Sequence, residues 1–437
     1  MMAPWHDWSA QQLVQAMTDG AVNAVAVMQA HLDRIEALEP SVHAWAFLDR
    51  EAAFAAAKAA DMKRRAGEQL PPLHGLPVGV KDIIDTADMP TTYGTRVHAD
   101  RRPRRDATLV ARLRAAGAIV VGKTVTSDYA LFVPGPTRNP HDLARTPGGS
   151  SSGSAAAVAA GMVPAALATQ TNGSTIRPAS FCGIVGYKPS LGLLPRTGIL
   201  RQAAILDQPG LMARAVEDVA LLGRVLGGRD AADEQSYDEA RLSESNGHGP
   251  RLGYVRGPFW ARGEGSARDA LDAFVATSGL TIDTVDLPPA FDQAADILTL
   301  IMETGIAEAY RADAEAHHDL MPPLVADTMR RGRSRSAVEL LDALEARQRL
   351  RRLFDAIAAP YAALITPAAR GVAPLVADGT GDPIFATLWT LLGVPSISLP
   401  LLHGPQGLPL GLQLVSGTRR DATLLRAALM LMSSPAD

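Results

Sequence analysis

The chain has 437 residues, 47% hydrophobic and 20% charged, the balance of a globular protein with a large core rather than a disordered or fibrous one. Its net charge of -4, from 42 basic and 46 acidic side chains, favours neither nucleic acid nor an anionic membrane as a partner. One cysteine, Cys182, excludes an internal disulfide and a multi-cysteine zinc site.

The first residues, MMAPWHDWSA, lack a basic start followed by an apolar stretch, so a cytoplasmic protein is expected. Ser9 and Gln12 form a capping box, with a staple between Trp8 and Leu13. Val25, Met28, Leu32 and Ile35 recur at helical spacing, and Pro40 is expected to end that helix. An alanine-rich helix follows over about 51–65. Residues 76–84 read as a short apolar strand carrying Lys81 and Asp82. A helix over 107–116 then leads into a strand over 118–122.

Beyond position 200 the pattern predicts a helix (216–226), a polar acidic loop (227–250) and a strand (252–255). A helix capped by Ser266 and Asp269, a strand (280–287) and long helices over 292–310 and 336–358 come next. Arg330, Arg331, Arg333 and Arg335 between those helices read as a solvated basic loop rather than a contact for an acidic substrate. The chain ends with strands at 362–366, 396–399 and 411–415 and helices at 384–392 and 421–432. Strands alternating with helices indicate an α/β fold with helices on the faces of a sheet. No linker or repeat divides it, so residues 1–437 read as a single domain.

The most informative stretch runs from Arg145 to Lys188. It carries Ser150, Ser151, Ser152 and Ser154 among glycines, then a small-residue helix, Gly173-Ser174 and Arg177-Pro178. Glycine beside serine lets the backbone approach a substrate closely. A helix starting after such a loop aims free N–H groups at whatever the loop holds, a setting that stabilises negative charge. Gly149-Ser150-Ser151-Ser152-Gly153 also matches the nucleophile elbow of α/β-hydrolases, with Ser151 as nucleophile. That motif needs a strand before it, whereas Asn139-Pro140-His141-Asp142 is turn-like. The later histidines His248, His317, His318 and His403 sit in polar or loop surroundings. Lys81 stands out because only five of the basic residues are lysine, and lysine, unlike arginine, can lose its proton.

Three places taken together, Lys81, Ser150 and Ser174, resemble the amidase signature family. Pro147–Gly161 is similar to that family's glycine-serine motif, with Ser152 in place of a glycine. Pro72–Asp82 resembles its lysine motif. Gly122-Lys123-Thr124, Thr137–Pro140, Gly183–Pro189, Gly393–Pro400 and Pro409–Leu414 extend the likeness over nearly the whole chain. The resemblance implies a large mixed β-sheet flanked by α-helices on both faces. It places the signature region at about 70–200, a variable helical region at about 228–360 and a return to the sheet at about 361–437.

It further implies Lys81 as catalytic base, Ser150 as proton relay after a cis peptide bond, and Ser174 as nucleophile. Thr171, Asn172, Gly173 and Ser174 would line an oxyanion hole. The substrate would be a small-molecule amide, with no metal, cofactor, nucleic acid or membrane, and a homodimer is left open. The physics agrees: serine needs a base, and lysine serves as one only when burial among Val78, Val80 and Ile83 lowers its pKa towards ~7–8. Asp82 would point to the opposite face of the strand.

Lys123 and Lys188 read as structural, and Ser151 and Ser154 as supports of the loop. Two departures stand out. Asn172 replaces a common glycine, and Arg177 comes three residues after Ser174, as in the branch resembling malonamidases. There the arginine would hold a substrate carboxylate; otherwise it pairs internally, and Pro178 disfavours a helical Arg177. The reading is an amidohydrolase with an acyl-enzyme on Ser174. Its alternatives are the amidase component of a tRNA-dependent amidotransferase, an esterase using Ser151, and a non-catalytic amidase-like protein.

Overall fold

The computed structural model describes residues 4–238 and 251–433. Its strands are β1 (Trp45–Leu48), β2 (Pro77–Lys81), β3 (Ile119–Thr124), β4 (Ala165–Gln170), β5 (Val185–Lys188) and β6 (Gln208–Ala213). They continue with β7 (Leu252–Tyr254), β8 (Ile282–Thr284), β9 (Ala363–Pro367), β10 (Ser396–His403) and β11 (Pro409–Val415). All eleven form one sheet in the order β1-β3-β2-β4-β6-β5-β10-β11-β9-β7-β8. β2 runs parallel to β3 and β4, and β7 to β8 and β9; the centre is antiparallel. The sheet is therefore mixed.

β2, β3, β4 and β6 are buried along their whole length. Strands covered on both faces carry continuous apolar runs instead of alternation, which is the pattern these segments show. Two adjacent residues of β5 locate the layers. Gly186 lies against Ala179 of the helix Ile176–Cys182. Tyr187 donates to Asp421 of the helix Asp421–Ser433 at 2.6 Å. Successive strand residues face opposite ways, so these helices cover opposite faces. The helices Ala294–Ala309 and Ala337–Ala358 build a second apolar cluster around Leu298, Tyr310, Phe354 and Trp389. Among the described residues no helix is long and apolar enough to cross a membrane.

Some local expectations need correction. Pro40 does not end its helix, which runs Ala24–Val42 and closes at His43 with φ 52°; a proline in the last turn removes only one hydrogen bond there. The strand expected over 396–399 runs on to His403 as β10, with Pro400 falling where the register shifts between Leu399 and Leu402, a bulge that needs no donor from it. Ser266 and Asp269 are not caps: the helix Gly265–Thr277 starts before both and makes no side-chain cap. The arginine cluster is not a loop. Arg330, Arg331 and Arg333 end the helix Pro323–Arg333, where cations favour the C-terminus. Arg331 also pairs with the buried Glu303 at 2.5 Å. Of the expected polar loop, 239–250, with His248, lies outside the described residues.

Candidate active site

β2 sits between β3 and β4 and delivers Lys81 at its end with no exposure to solvent. Lys81 Nζ lies 2.8 Å from Ser150 Oγ and 2.7 Å from Thr169 Oγ1 on β4. Burial holds this amine well below its ordinary 10.5, and the Asp207 carboxylate opposes the shift. Asp82 points the other way, as strand alternation requires. It accepts from Thr92 and lies 3.3 Å from Lys123 Nζ.

The four hydroxyls of the serine loop divide by partner. Ser151 Oγ donates to Thr169 O at 3.2 Å, and Ser152 Oγ to Val125 O at 3.3 Å. Ser154 Oγ bonds Leu167 O and Thr124 Oγ1. Only Ser150 turns to the lysine, and the Gly149-Ser150 peptide is cis. Turns and bends, not a strand, precede Ser151, and its hydroxyl is fully buried against backbone. The elbow geometry is absent. The glycine after it has a packing reason: a Cβ on Gly153 would run into Ala44 O and Val125 N, where the helix Ser152–Ala159 meets β3.

Ser174 sits in the turn between β4 and the helix Ile176–Cys182. That turn is pinned along its length. Gln170 Oε1 accepts from Thr175 N and Ile176 N at 2.9 and 3.0 Å. Thr171 Oγ1 donates to Asp207 at 2.6 Å. Thr390 Oγ1 donates to Asn172 O, and Thr387 Oγ1 to Asn172 Oδ1 at 2.7 Å. A Cβ on Gly173 would lie 2.8 Å from Pro383 Cβ, so only glycine fits. Among the described residues nothing accepts from the N–H of Asn172, Gly173 or Ser174, and Ser174 Oγ makes no hydrogen bond. Partly exposed Ser174 lies in a narrow cleft with Leu131, Asn172, Arg177 and Met302. An outer chamber of about 270 Å³ shares Leu131, Phe132, Asn172 and Met302 with that cleft.

Arg177 is helical despite Pro178; proline is tolerated in the first turn of a helix, where its ring meets no preceding turn. Its guanidinium is buried and faces inward. Nη1 donates to Gly381 O at 2.7 Å and Nη2 to Gly149 O at 2.6 Å, while Nε has no partner. It thus ties the helix after Ser174 to the peptide preceding Ser150, the internal pairing. Among the described residues no group of three or more metal-ligating side chains occurs.

Lys123 and Lys188 are buried within hydrogen-bonded sets that do not include Ser150. Residues missed from sequence are Thr169, Asp207, Thr387 and Thr390. Asp207 is half-buried, pushed up to about 6 by desolvation and held by Thr171 and by the N–H groups of Gln202 and Ala203. A lone acid beginning an apolar strand, and two threonines three apart in the apolar helix Ile384–Leu392, were the available signals.

The family model and the relatives, on this fold, make the chain an amide-cleaving enzyme. The chain belongs to the amidase family, whose profile, described as Amidase, matches residues 26–425. It is similar to a glutamyl-tRNA(Gln) amidotransferase subunit from Salinispora tropica, with 36% identity over 98% of this chain and 97% of that one. The corresponding amidotransferase subunit from Chloroflexus aggregans is 35% identical over 94% and 93%. Among solved structures, one described as an unexpected vestigial protein complex revealing the origins of an s-triazine catabolic enzyme superposes with a TM-score of 0.90. It is 30% identical and covers 97% of this chain and 98% of its own. The peptide amidase of Stenotrophomonas maltophilia gives 0.82 at 30% identity, covering 98% and 97%.

Proposed function

We propose that the chain cleaves a carboxamide C–N bond through an acyl-enzyme on Ser174. The observation that carries this is the buried Lys81 Nζ at 2.8 Å from Ser150 Oγ. Arg177 supports it by clamping that serine's preceding carbonyl to the Ser174 helix. Burial lowers the pKa of this amine, and in its neutral form it has a lone pair to receive a proton. Ser174 Oγ attacks the amide carbon while its proton passes to Ser150, whose own proton passes to Lys81 Nζ. The N–H groups of Thr171 to Ser174 receive the negative oxygen of the tetrahedral intermediate. The C–N bond then breaks as Ser150 returns a proton to the leaving nitrogen, and water releases the acyl group by the reverse relay.

Ser174→Ala and Ser151→Ala separate the two serines. Loss of turnover and of fluorophosphonate labelling in the first alone supports the assignment; loss in the second alone transfers the reaction to Ser151. No adduct on Ser174 in the folded wild type would favour a non-catalytic amidase-like protein.

The relatives favour one setting for this chemistry, the amidase component of a tRNA-dependent amidotransferase, since glutamyl-tRNA(Gln) amidotransferase subunits match at 35–36% identity over almost the full length. In that setting the amide is a glutamine-like donor, the freed ammonia goes to an acyl acceptor, and partner chains are required. A free-standing amidohydrolase is the second reading, supported by the match to peptide amidase. Ammonia release from a panel of amides by the chain alone decides between them. Turnover only of glutamine, and only with added partner subunits, supports the first; turnover of simple amides by the chain alone supports the second.

A further inference from the structure

Asn172 occupies the boundary between the cleft of Ser174 and the outer chamber, lining both. Its carboxamide is held by one end. Thr387 Oγ1 lies 2.7 Å from Asn172 Oδ1 and 3.3 Å from the carbonyl of Pro383, one turn back in its own helix. A threonine hydroxyl has one proton, and the shorter contact takes it. Thr390 holds the Asn172 carbonyl from the same helix, so the backbone under the side chain is fixed too. Asn172 Nδ2 then presents two N–H groups for which the described residues offer no acceptor.

The charges around the chamber do not compete for that role. Arg331 pairs with Glu303 at 2.5 Å, and Arg262 with Asp382 at 2.6 Å. Their neighbours Leu131, Phe132, Met302 and Ile384 are apolar. Arg335 and Arg370 share those same two carboxylates at 3.5 and 3.7 Å, and Asn172 Nδ2 is an uncommitted neutral donor at the chamber's inner edge. A hydrogen-bond acceptor on the substrate that reaches this edge would satisfy that donor.

We propose that Asn172 is a specificity-determining residue, whose Nδ2 donates to a second carbonyl oxygen carried on the acyl chain of the substrate. This rests on Ser174 being the nucleophile. It names the substrate class as amides whose acyl part bears a further carbonyl beyond the scissile one. Plain aliphatic amides would leave Nδ2 unpaired in the closed complex, which lowers their transition-state binding.

The test uses two matched pairs, acetoacetamide against butyramide and levulinamide against valeramide. The readout is the ratio of kcat/KM within each pair, so a general loss of rate in a variant cancels. Where turnover is slow, the ratio is read from competition against fluorophosphonate labelling of Ser174. Wild type is expected to favour the oxo member of at least one pair by about ten-fold. Asn172→Gly and Asn172→Ala bring that ratio to about one. Asn172→Asp, which can accept from Thr387 but not donate to substrate, brings it to one or below. Thr387→Val, which frees the carboxamide to rotate, reduces it without touching Asn172. Ratios near one in wild type, or a wild-type preference that survives all four substitutions, overturn the assignment. Labelling of Ser174 without any such selectivity rejects Asn172 alone, whereas labelling that never reaches Ser174 rejects the nucleophile.

Discussion

At the scale of single residues, the chemistry turns on whether Lys81 is charged. Its amine is held below 10.5 chiefly by desolvation, with Asp207 acting against that effect. Only the neutral amine can accept a proton, so kcat/KM rises with pH through the lowered pKa of Lys81 and falls below it. Lys81→Met removes the base while keeping much of the side-chain volume, and turnover is expected to fall by roughly a thousand-fold or more. Asp207→Asn removes the carboxylate that favours the protonated lysine. The acid limb of the pH–rate profile should then move to lower pH, a displacement that loss of packing alone would not produce. A limb that stays in place, or moves up, would show that Asp207 does not act on Lys81 through its charge.

At the scale of elements, close backbone approach explains positions that chemistry does not. Gly153 opens the helix that follows the serine loop, and an added Cβ would meet backbone atoms of Ala44 and Val125, not a flexible side chain. Gly153→Ala is therefore expected to cost about 3 kcal/mol, read from urea unfolding. A change within ~0.5 kcal/mol would mean that the helix shifts freely on β3. Such constraints separate what was legible in the sequence from what was not. The helix Val216–Leu226 and the capping box of Ser9 and Gln12 follow from local spacing and were read with their actual bounds. The Lys81 strand and the serine loop were legible as motifs, and alternation along the strand correctly turned Asp82 away from Ser150. Thr169 and Asp207 were not legible, because they reach Lys81 and Thr171 from β4 and from the start of β6. Only the sheet order makes those strands neighbours. Prolines misled for a related reason. Pro40 and Pro178 lie in the last turn of one helix and the first turn of another, where proline disrupts less than in a helix interior, but position within an element is not visible from residue type.

At the scale of the whole molecule, the sheet buries lysines that give its stability a definite pH dependence. Lys188 is pushed down to about 7 by burial, although its Nζ reaches Gln208 Oε1 at 2.6 Å and Val394 O at 2.5 Å. Lys123, beside Asp82, is pushed down to about 8, and Lys81 is also lowered. In the unfolded chain each amine keeps its proton to about 10.4. Between the folded and unfolded values the unfolded state binds more protons, so stability rises with pH. Each such lysine contributes about 1.4 kcal/mol per pH unit within its window. His31, lowered to about 4, and Asp207, raised to about 6, act in opposite directions and below that range. The midpoint of thermal or urea unfolding should therefore climb between about pH 7 and 9, before tyrosines ionise in the unfolded chain. Lys81→Met removes one of the proton-linked groups and should make that climb shallower, while leaving the variant more stable than wild type at neutral pH. The base needed for turnover would then be a group the fold holds at a cost in stability, as strained catalytic sites commonly are. Equal slopes in the two proteins would mean that Lys81 is protonated in the folded state, and the proton relay to it would fail with them.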